Sequence, residues 1–413
     1  MFGETKRRSI TLLLVATIIA SVSFTACSSG GSKAEFTFVA AQYSNETEPF
    51  WKNMVAEFQK SNPRIKVNLQ VVGWDTLPQK VNTLISTNQA PDLLNIDLFA
   101  SYLNDNLLLD ASKVISPKLK AKFYDSLYKG DQVGGVNFAL PFIASVRSLY
   151  YNKDIFTKAG IAEPPKTWSE LRQDAKLIKA KTGIDAFGIE MTDYEGEAFI
   201  AYFAFGNGGG WKKDGKWTLD SAENVEAFKF MNQLVNEDKV TNPKPTAINR
   251  DELQKVFGSG KLAMMLTANF FPGMLKADSP KLNYGVASMP VNDNKPQTAL
   301  FVQDSLMVFK STKAQQAIGK FLDYVYSDSV YETFVKKEGF LPVTKSLGEK
   351  MAGEDPQTAE FMKALSIAQT YPMDDPKYPE VKVAAIKAIQ KILLKVKSPA
   401  DSLAELQKLA VGN

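Results

Sequence analysis

Apolar patterns with two different periods alternate along this chain, and this alternation limits its fold more than any other feature. Residues 36–41 read as a buried strand, a helix follows from near Pro49, and residues 65–71 are apolar at every second position. A second helix, with Asp75 as its N-cap, and a third strand at 91–97 complete the series. Strands joined through helices pair in parallel, so the sequence predicts an α/β fold with helices on both faces of a parallel sheet.

The alternation returns after residue 145, in a chain whose 413 residues are enough for two domains. A strand at 148–152 precedes a short helix at 153–159, which Gly160 ends. Thr167 and Glu170 have the spacing of a capping box, so the next helix is predicted to start there. Further predicted elements are a helix at 221–237, strands at 262–266 and 284–288, and helices at about 313–338, 357–370, 379–394 and 400–410.

The chain contains no histidine and a single cysteine, Cys27, and this excludes most enzymatic chemistry. Without imidazole there is no Ser-His or Cys-His catalysis and no His-ligated zinc. A lone cysteine forms neither an internal disulfide nor a thiolate cluster, so we expect no metal and no cofactor. The net charge of +4 is too small to attract nucleic acid. Arginine is scarce, and beyond residue 30 only Arg64, Arg147, Arg172 and Arg250 occur.

The N-terminal segment has the layout of a secretory signal peptide at 1–26, with basic residues followed by an apolar run at 10–20 that is too short to span a membrane. Residues 24–27, FTAC, resemble a bacterial lipobox, although Phe24 replaces the more usual leucine. The resemblance implies cleavage before Cys27, attachment of a diacylglycerol there, and a flexible tether at 27–34. The alternative is an ordinary secreted protein with an incidental cysteine.

Several stretches together resemble the extracellular solute-binding proteins, family 1, which serve ABC importers of sugars and oligosaccharides. They are APDL at 90–93, YYNKDIF at 150–156 with AGI at 159–161, PPKTWSEL at 164–171, FGSGKLAM at 257–264 and GFLPV at 339–343. They follow the family's order over residues 36–410. The resemblance implies a receptor without catalytic activity, held outside the cytoplasmic membrane by its lipid anchor and acting as a monomer with the ABC permease as its partner.

The family's fold has two α/β lobes, each with a mainly parallel sheet, joined by a hinge of several crossings. By analogy we expect lobe one at 35–145 with 303–345, and lobe two at 146–302 with 346–413. The lobes are expected to close over the ligand by hinge motion, so that the permease distinguishes the loaded receptor from the empty one.

A carbohydrate presents apolar C–H faces and a rim of hydroxyl groups, so its site needs aromatic surfaces and short polar groups. Placing the family's cleft-lining loops on the matching positions of this sequence selects a candidate set at the ends of strands or in adjoining loops, where open α/β sheets bind ligands. The set is Tyr43, Glu46, Trp74, Asp97, Arg147, Tyr194, Trp211, Asn269, Phe270, Asp304 and Tyr378. A phosphate ligand would need several Arg or Lys side chains, and this set has only Arg147, so we expect a neutral oligosaccharide.

Other interpretations remain open from the sequence. A surface glycosidase needs only two carboxylates and no histidine, while the same fold also serves receptors for polyamines or sugar phosphates. A purely structural adhesin is disfavoured by the strand and helix alternation. Glycine-rich stretches at 206–210 and 258–261 lack the context of nucleotide-binding loops. Asp193, Glu195 and Glu197 begin like a calcium loop, but Ala198 stands where glycine is required, so we predict a loop or a solvated face.

Overall fold

The computed structural model describes residues 33–97 and 100–412 of the chain. The predicted signal peptide, Cys27 and most of the predicted tether lie outside the described residues. No helix within these two ranges is both long and apolar enough to cross a membrane.

Strands and helices alternate in the first part of the chain, and helices dominate the last. The strands are β1 Ala34–Gln42, β2 Ile65–Gly73, β3 Leu93–Ile96, β4 Gln132–Val133, β5 Val136–Asn137, β6 Leu140–Asn152, β7 Asp185–Gly188, β8 Lys212–Lys213, β9 Lys216–Trp217, β10 Leu262–Ala268, β11 Tyr284–Ala287, β12 Ala299–Val308 and β13 Ala368–Gln369. The helices are α1 Thr47–Ser61, α2 Leu77–Ser86, α3 Ala100–Asn104, α4 Pro117–Lys122, α5 Asp125–Gly130, α6 Lys153–Ala159, α7 Trp168–Thr182, α8 Gly196–Gly206, α9 Ala222–Asn232, α10 Arg250–Gly258, α11 Phe271–Asp278, α12 Gln315–Val325, α13 Asp328–Glu338, α14 Lys345–Glu354, α15 Pro356–Leu365, α16 Tyr378–Leu393 and α17 Pro399–Val411.

Two sheets share the long strand β6. The order in the first sheet is β2-β1-β3-β12-β6, and the second continues through β6 to β10 and β7, with β11 also paired to β6. Residues 140–146 of β6 pair with β12, whereas residues 147–152 pair with β10 and β11. The first three strands pair in parallel as predicted. Strand β6 runs antiparallel to β12, β10 and β11, and β12 runs antiparallel to β3. Each sheet is therefore mixed, with the expected parallel pairing among β1, β2 and β3, between β7 and β10 and between β12 and β13. The chain enters β6 from β5 of the first lobe and β12 from β11 of the second lobe, so neither strand is reached through a helical crossover like those that join the parallel strands β1, β2 and β3.

The first lobe is built around helix α1 and its sheet. Trp51, Met54 and Phe58 recur every three to four residues on α1, and all are buried. The ring of Trp51 is fully buried and meets the edge of Phe38 from β1 with the ring centres 4.8 Å apart. This contact fixes α1 against the sheet, so that the loop between β1 and α1 projects from the carboxyl edge of the strand.

The second lobe is built around helix α8. Every residue of Gly196–Gly206 is buried, which is typical of a helix that crosses the interior of a lobe. Helices α9 and α16 pack against it, and α17 packs against these two helices. The central position of α8 also brings the loop just before it, which contains Glu195, to the boundary between the lobes.

Local predictions from caps and periodicity are largely confirmed. Helix α6 spans the predicted residues and ends at Gly160 with a positive φ of 79°, and the Thr167 capping box is present. Helix α2 differs, because its N-cap is Thr76 and not Asp75. The predicted helix at 313–338 is two helices, and α14 was not predicted.

Helices α14 and α15 differ from the expected division into lobes. Leu347, Met351 and Phe361 pack in the core that contains Trp51, whereas Tyr371 and all later buried apolar residues join the core around α8. Residues 346–365 therefore pack with the first lobe, and the chain passes to the second near β13. The apolar stripe of a helix predicts burial but does not tell which core receives it.

Candidate ligand-binding cleft

A cavity of about 100 Å³ lies between the two lobes, against one face of the strand pair β6 and β12. Ile143, Ser145 and Arg147 line it from alternate positions of β6, and Asp304 lies opposite Ile143 in the strand register. Its walls are Tyr43, Ser44, Trp74, Ile143, Ser145, Arg147, Arg250, Asp251, Phe270, Met274, Asp304, Glu338 and Phe340. The structure thus brings together five residues of the predicted set, namely Tyr43, Trp74, Arg147, Phe270 and Asp304.

Four aromatic rings form a wall of this cavity. Tyr43 follows β1 and Trp74 follows β2, and the parallel pairing of these strands leaves the two ring centres 5.9 Å apart. Phe340 lies 4.8 Å from Tyr43 and 5.5 Å from Phe270, which packs against both cores. The wall therefore extends across the boundary between the lobes and offers apolar faces to a bound molecule.

Two buried carboxyl groups face the cavity beside this wall. Asp304 is only 5% exposed, and burial together with the neighbouring charge of Asp97 raises its pKa to about 7. Glu338 accepts a hydrogen bond from the Thr47 hydroxyl at 2.7 Å, and burial raises its pKa too. Burial also raises the pKa of Tyr43 well above its usual value, so this hydroxyl keeps its proton and donates to Asn95 Oδ1 at 3.0 Å.

Two arginines close the opposite side of the cavity, and Glu195 joins them. Arg147 Nη2 donates to Glu195 Oε1, and Arg250 Nη1 donates to Glu195 Oε2 at 2.8 Å. Burial by itself would raise the pKa of Glu195, but the charges of Arg250 and Arg147 outweigh it and hold this pKa at about 2. Glu195 is therefore ionised throughout the physiological range and forms a buried ion pair with each arginine.

Asp251 and two aromatic rings hold Arg250 in place. Arg250 Nε donates to Asp251 Oδ1 at 3.0 Å, and Tyr194 donates its hydroxyl to Asp251 Oδ2 at 2.8 Å. The guanidinium carbon lies 5.2 Å from the ring centre of Tyr194 and 5.5 Å from that of Phe270. Tyr194, a predicted site residue that is absent from the cavity wall, thus acts on the cavity by positioning Arg250 and Asp251.

Three further predicted residues lie in other surroundings. Asp97 lines a larger cavity of about 560 Å³, which Val302 and Gln303 of β12 also line, and its charge acts on Asp304. Trp211 and Tyr378 are buried in the second core, with their ring centres 5.4 Å apart. Trp211 Nε1 and the Tyr378 hydroxyl have no hydrogen-bond partner in the described part of the chain.

Asn269 and Glu46 do not line the cavity. Asn269 Oδ1 accepts from the Val146 amide at 2.8 Å, and its Nδ2 donates to the Gly339 carbonyl at 2.7 Å. The side chain therefore links the crossing strand to the end of α13. Glu46 is exposed and forms an ion pair with Lys337 at 2.9 Å.

Residue-by-residue reasoning missed Arg250, Asp251, Ser145 and Glu338, and it misread part of the acidic segment at the start of α8. Asp193 and Glu195 lie in a turn, as the alternative of a loop predicts. Glu195 and Glu197 are both buried and both ion-paired, the latter to Lys382, so they do not form a solvated face. The scarcity of arginine was the available signal, because two of the four arginines beyond residue 30 meet at this cavity. No group of three or more acidic or cysteine side chains suited to a metal ion occurs among the residues that the structure describes.

Sequence comparison finds one family along most of the chain. The profile of the bacterial extracellular solute-binding proteins matches residues 43–332. A binding protein of Brucella abortus (strain 2308) is 32% identical over 334 residues, which cover 80% of this chain and 81% of that protein. The sn-glycerol-3-phosphate-binding periplasmic protein UgpB of Escherichia coli (strain K12) is 25% identical over 405 residues and covers 86% of this chain and 90% of its own length.

Solved structures share the fold at lower sequence identity. Maltose-bound MalE3 of T. maritima superposes with a TM-score of 0.82 at 22% identity, covering 92% of this chain and 99% of that one. The substrate-binding protein Lmo0181 of Listeria monocytogenes, in complex with cycloalternan, has a TM-score of 0.80 at 21% identity with the same coverage. The fold is the two-lobed periplasmic-binding-protein fold, as predicted. This chain belongs to the family of bacterial extracellular solute-binding proteins that serve ABC importers.

Proposed function

We propose that this protein captures a neutral carbohydrate, an oligosaccharide, between its two lobes and delivers it to an ABC permease. The observation that carries the proposal is the cavity in which aromatic rings from both lobes adjoin buried carboxyl and guanidinium groups. Aromatic faces suit the C–H surfaces of a sugar, and carboxyl oxygens and guanidinium N–H groups suit its hydroxyls. Structural neighbours are described as bound to maltose and cycloalternan, which agrees with this ligand class.

Tyr43, Trp74, Arg147, Phe270 and Asp304 are the proposed ligand contacts, because they share one cavity. Arg250 and Ser145 join them as contacts that the sequence did not suggest. Asp97, which lines the larger cavity, is proposed as a contact for a ligand longer than the present cavity, whereas Trp211 and Tyr378 stay predictions because both are buried in the second core. Hinge closure, with the ligand touching both lobes, would supply the difference between loaded and empty states that the permease requires.

Titration calorimetry of the purified protein against a panel of neutral oligosaccharides tests this function, with tryptophan fluorescence read in parallel. Saturable binding with the sugar recovered intact is the expected result. Cleavage of the sugar would indicate that the protein is a glycosidase acting through a carboxylate pair and not a receptor. No response to any sugar, together with binding of a polyamine or a sugar phosphate, would overturn the ligand class.

A sugar phosphate is the second candidate, because Arg250 adds a guanidinium to that of Arg147 in the cavity. The relative UgpB, named for sn-glycerol 3-phosphate, agrees with such a ligand. The neutral ligand is favoured because Glu195 pairs with both arginines and cancels much of their charge.

We also propose that the protein is anchored outside the cytoplasmic membrane through a lipid on Cys27 and works as a monomer. The family supports an extracytoplasmic location, and the lipobox-like sequence before Cys27 supports the anchor. Cell fractionation of the wild type and of Cys27→Ser tests this. The wild type should sediment with membranes and the variant should not, whereas equal distribution of the two would contradict the anchor.

A further inference from the structure

Arg147 and Arg250 both face the cavity, and a single carboxylate behind them pairs with both. The Glu195 side chain is 9% exposed, and those of Arg147 and Arg250 are 5% and 19% exposed. Glu195 itself is not part of the cavity wall. A ligand in the cavity would therefore meet the two guanidinium groups while Glu195 lies behind them; Asp251, the other partner of Arg250, lines the cavity beside them.

The two arginines have little freedom to turn away from the cavity. Arg147 also donates to the Ser145 hydroxyl at 2.5 Å, and its Nε finds no partner among the described residues. Arg250 is held by Asp251 and lies over the rings of Tyr194 and Phe270. Their positions are thus fixed by groups other than Glu195.

The two arginines and the two carboxylates in direct ion-pair contact with them have no net charge. Two guanidinium groups face the carboxylates of Glu195 and Asp251, all within direct ion-pair contact. In a buried setting, two guanidinium groups without such countercharge would form a strong site for a phosphate or carboxylate group. Charge–charge interactions are strong here because little water screens them.

We infer that Glu195 determines the charge class of the ligand. By balancing one of the two arginine charges, while Asp251 balances the other, it keeps the cavity for uncharged sugars and excludes phosphate monoesters. The choice of a neutral sugar as the natural ligand rests on the proposed function, whereas the exclusion of anions rests only on the ion pairs described above.

The variant Glu195→Gln removes the carboxylate charge and keeps the size of the side chain. We expect it to bind glucose 6-phosphate and inorganic phosphate at least about tenfold more tightly than the wild type does, because hydrogen bonds between charged partners are strong when buried. Phosphate should also raise its melting temperature more than that of the wild type. Titration calorimetry and thermal unfolding, each with and without phosphate, measure these effects.

Asp238→Asn is the matched control. Asp238 also joins two cations, Arg172 at 2.6 Å and Lys176 at 3.4 Å, but it lies outside the cavity wall. Asp238→Asn changes the net charge by the same amount as Glu195→Gln does, and it should leave the affinity for phosphate unchanged. Glu195→Asp, which keeps the charge, should also bind phosphate as weakly as the wild type does.

Equal phosphate affinity in wild type and Glu195→Gln would overturn the inference. A gain in Asp238→Asn or in Glu195→Asp as large as that in Glu195→Gln would overturn it as well. If Glu195→Gln unfolds in the absence of anions, phosphate should restore its folding, and failure to do so also counts against the inference. Neutral-sugar binding by the wild type is scored separately, so a protein that binds no sugar but gains phosphate affinity on substitution refutes the proposed function alone.

Discussion

Replacing Asp304 with asparagine is expected to stabilise the protein at alkaline pH. Asp304 is 5% exposed, and burial and the charge of Asp97 raise its pKa from 3.8 to about 7. In the unfolded chain the same carboxyl ionises near its usual value. Between these two pH values the folded state holds a proton that the unfolded state has lost, so stability falls as the pH rises. Below pH 3.8 both states are protonated and the penalty is absent.

The size of this stability effect follows from the shift in the pKa of Asp304. About 3 pKa units at about 1.4 kcal/mol each give a penalty of about 4 kcal/mol above pH 7. At pH 5 the pH lies about one unit above the pKa of the unfolded carboxyl, so the penalty there is about 2 kcal/mol. Asparagine has a similar shape and no charge, so the variant should avoid the penalty at both pH values. Its advantage over the wild type should therefore grow by about 2 to 3 kcal/mol from pH 5 to pH 8.

Urea unfolding of both proteins at pH 5 and pH 8 measures this difference. Asp131, whose pKa burial also raises to about 7, is present in both proteins and drops out of the comparison. The exposed Asp220→Asn provides a control for the loss of one negative charge. The reasoning is refuted if the free energy of unfolding depends on pH in the same way for the wild type and Asp304→Asn. In that case, ionisation of Asp304 does not destabilise the folded protein.

Two further substitutions test the wall of the cavity and the link behind it. Trp74→Ala should weaken oligosaccharide binding about tenfold in titration calorimetry, because it removes one aromatic face; the same loss in Trp217→Ala, in the β8–β9 hairpin, would argue against a local effect. Asn269→Ala removes both hydrogen bonds of its side chain and should lower the free energy of unfolding by about 2 kcal/mol in urea. Asn283→Ala, which removes an exposed hydrogen bond, should change it by less than about 0.5 kcal/mol, and equal effects of the two would contradict the linking role of Asn269.

Elements that depend on nearby residues were predictable from the sequence. The Thr167 capping box and the Gly160 stop need only residues within one turn, and the structure has both. Tyr43 and Trp74 were selected through the family resemblance, and both follow strands predicted to be parallel, a pairing that the register confirms. The carboxyl edge of a parallel sheet can thus be located from the periodicity of its strands and helices.

Features that depend on distant partners were not predictable. Glu195 meets Arg147 from 48 positions away and Arg250 from 55, and no local pattern marks such pairs. Strand β6 has almost every residue buried on both faces, so its first half showed no period of two. For that reason only residues 148–152 were recognised as a strand.

Because one backbone segment, Leu140–Asn152, belongs to both sheets, the lobes are not independent folding units. Unfolding of the second lobe would remove β10 and β11 as hydrogen-bonding partners of this segment. It would thereby destabilise the half of the segment that pairs with β12 in the first lobe. Two domains joined by a simple linker commonly melt in separate steps, but these two lose hydrogen-bonded neighbours together. Heat denaturation should therefore be a single cooperative event, and a fragment carrying only one lobe would keep an unpaired strand end open to aggregation.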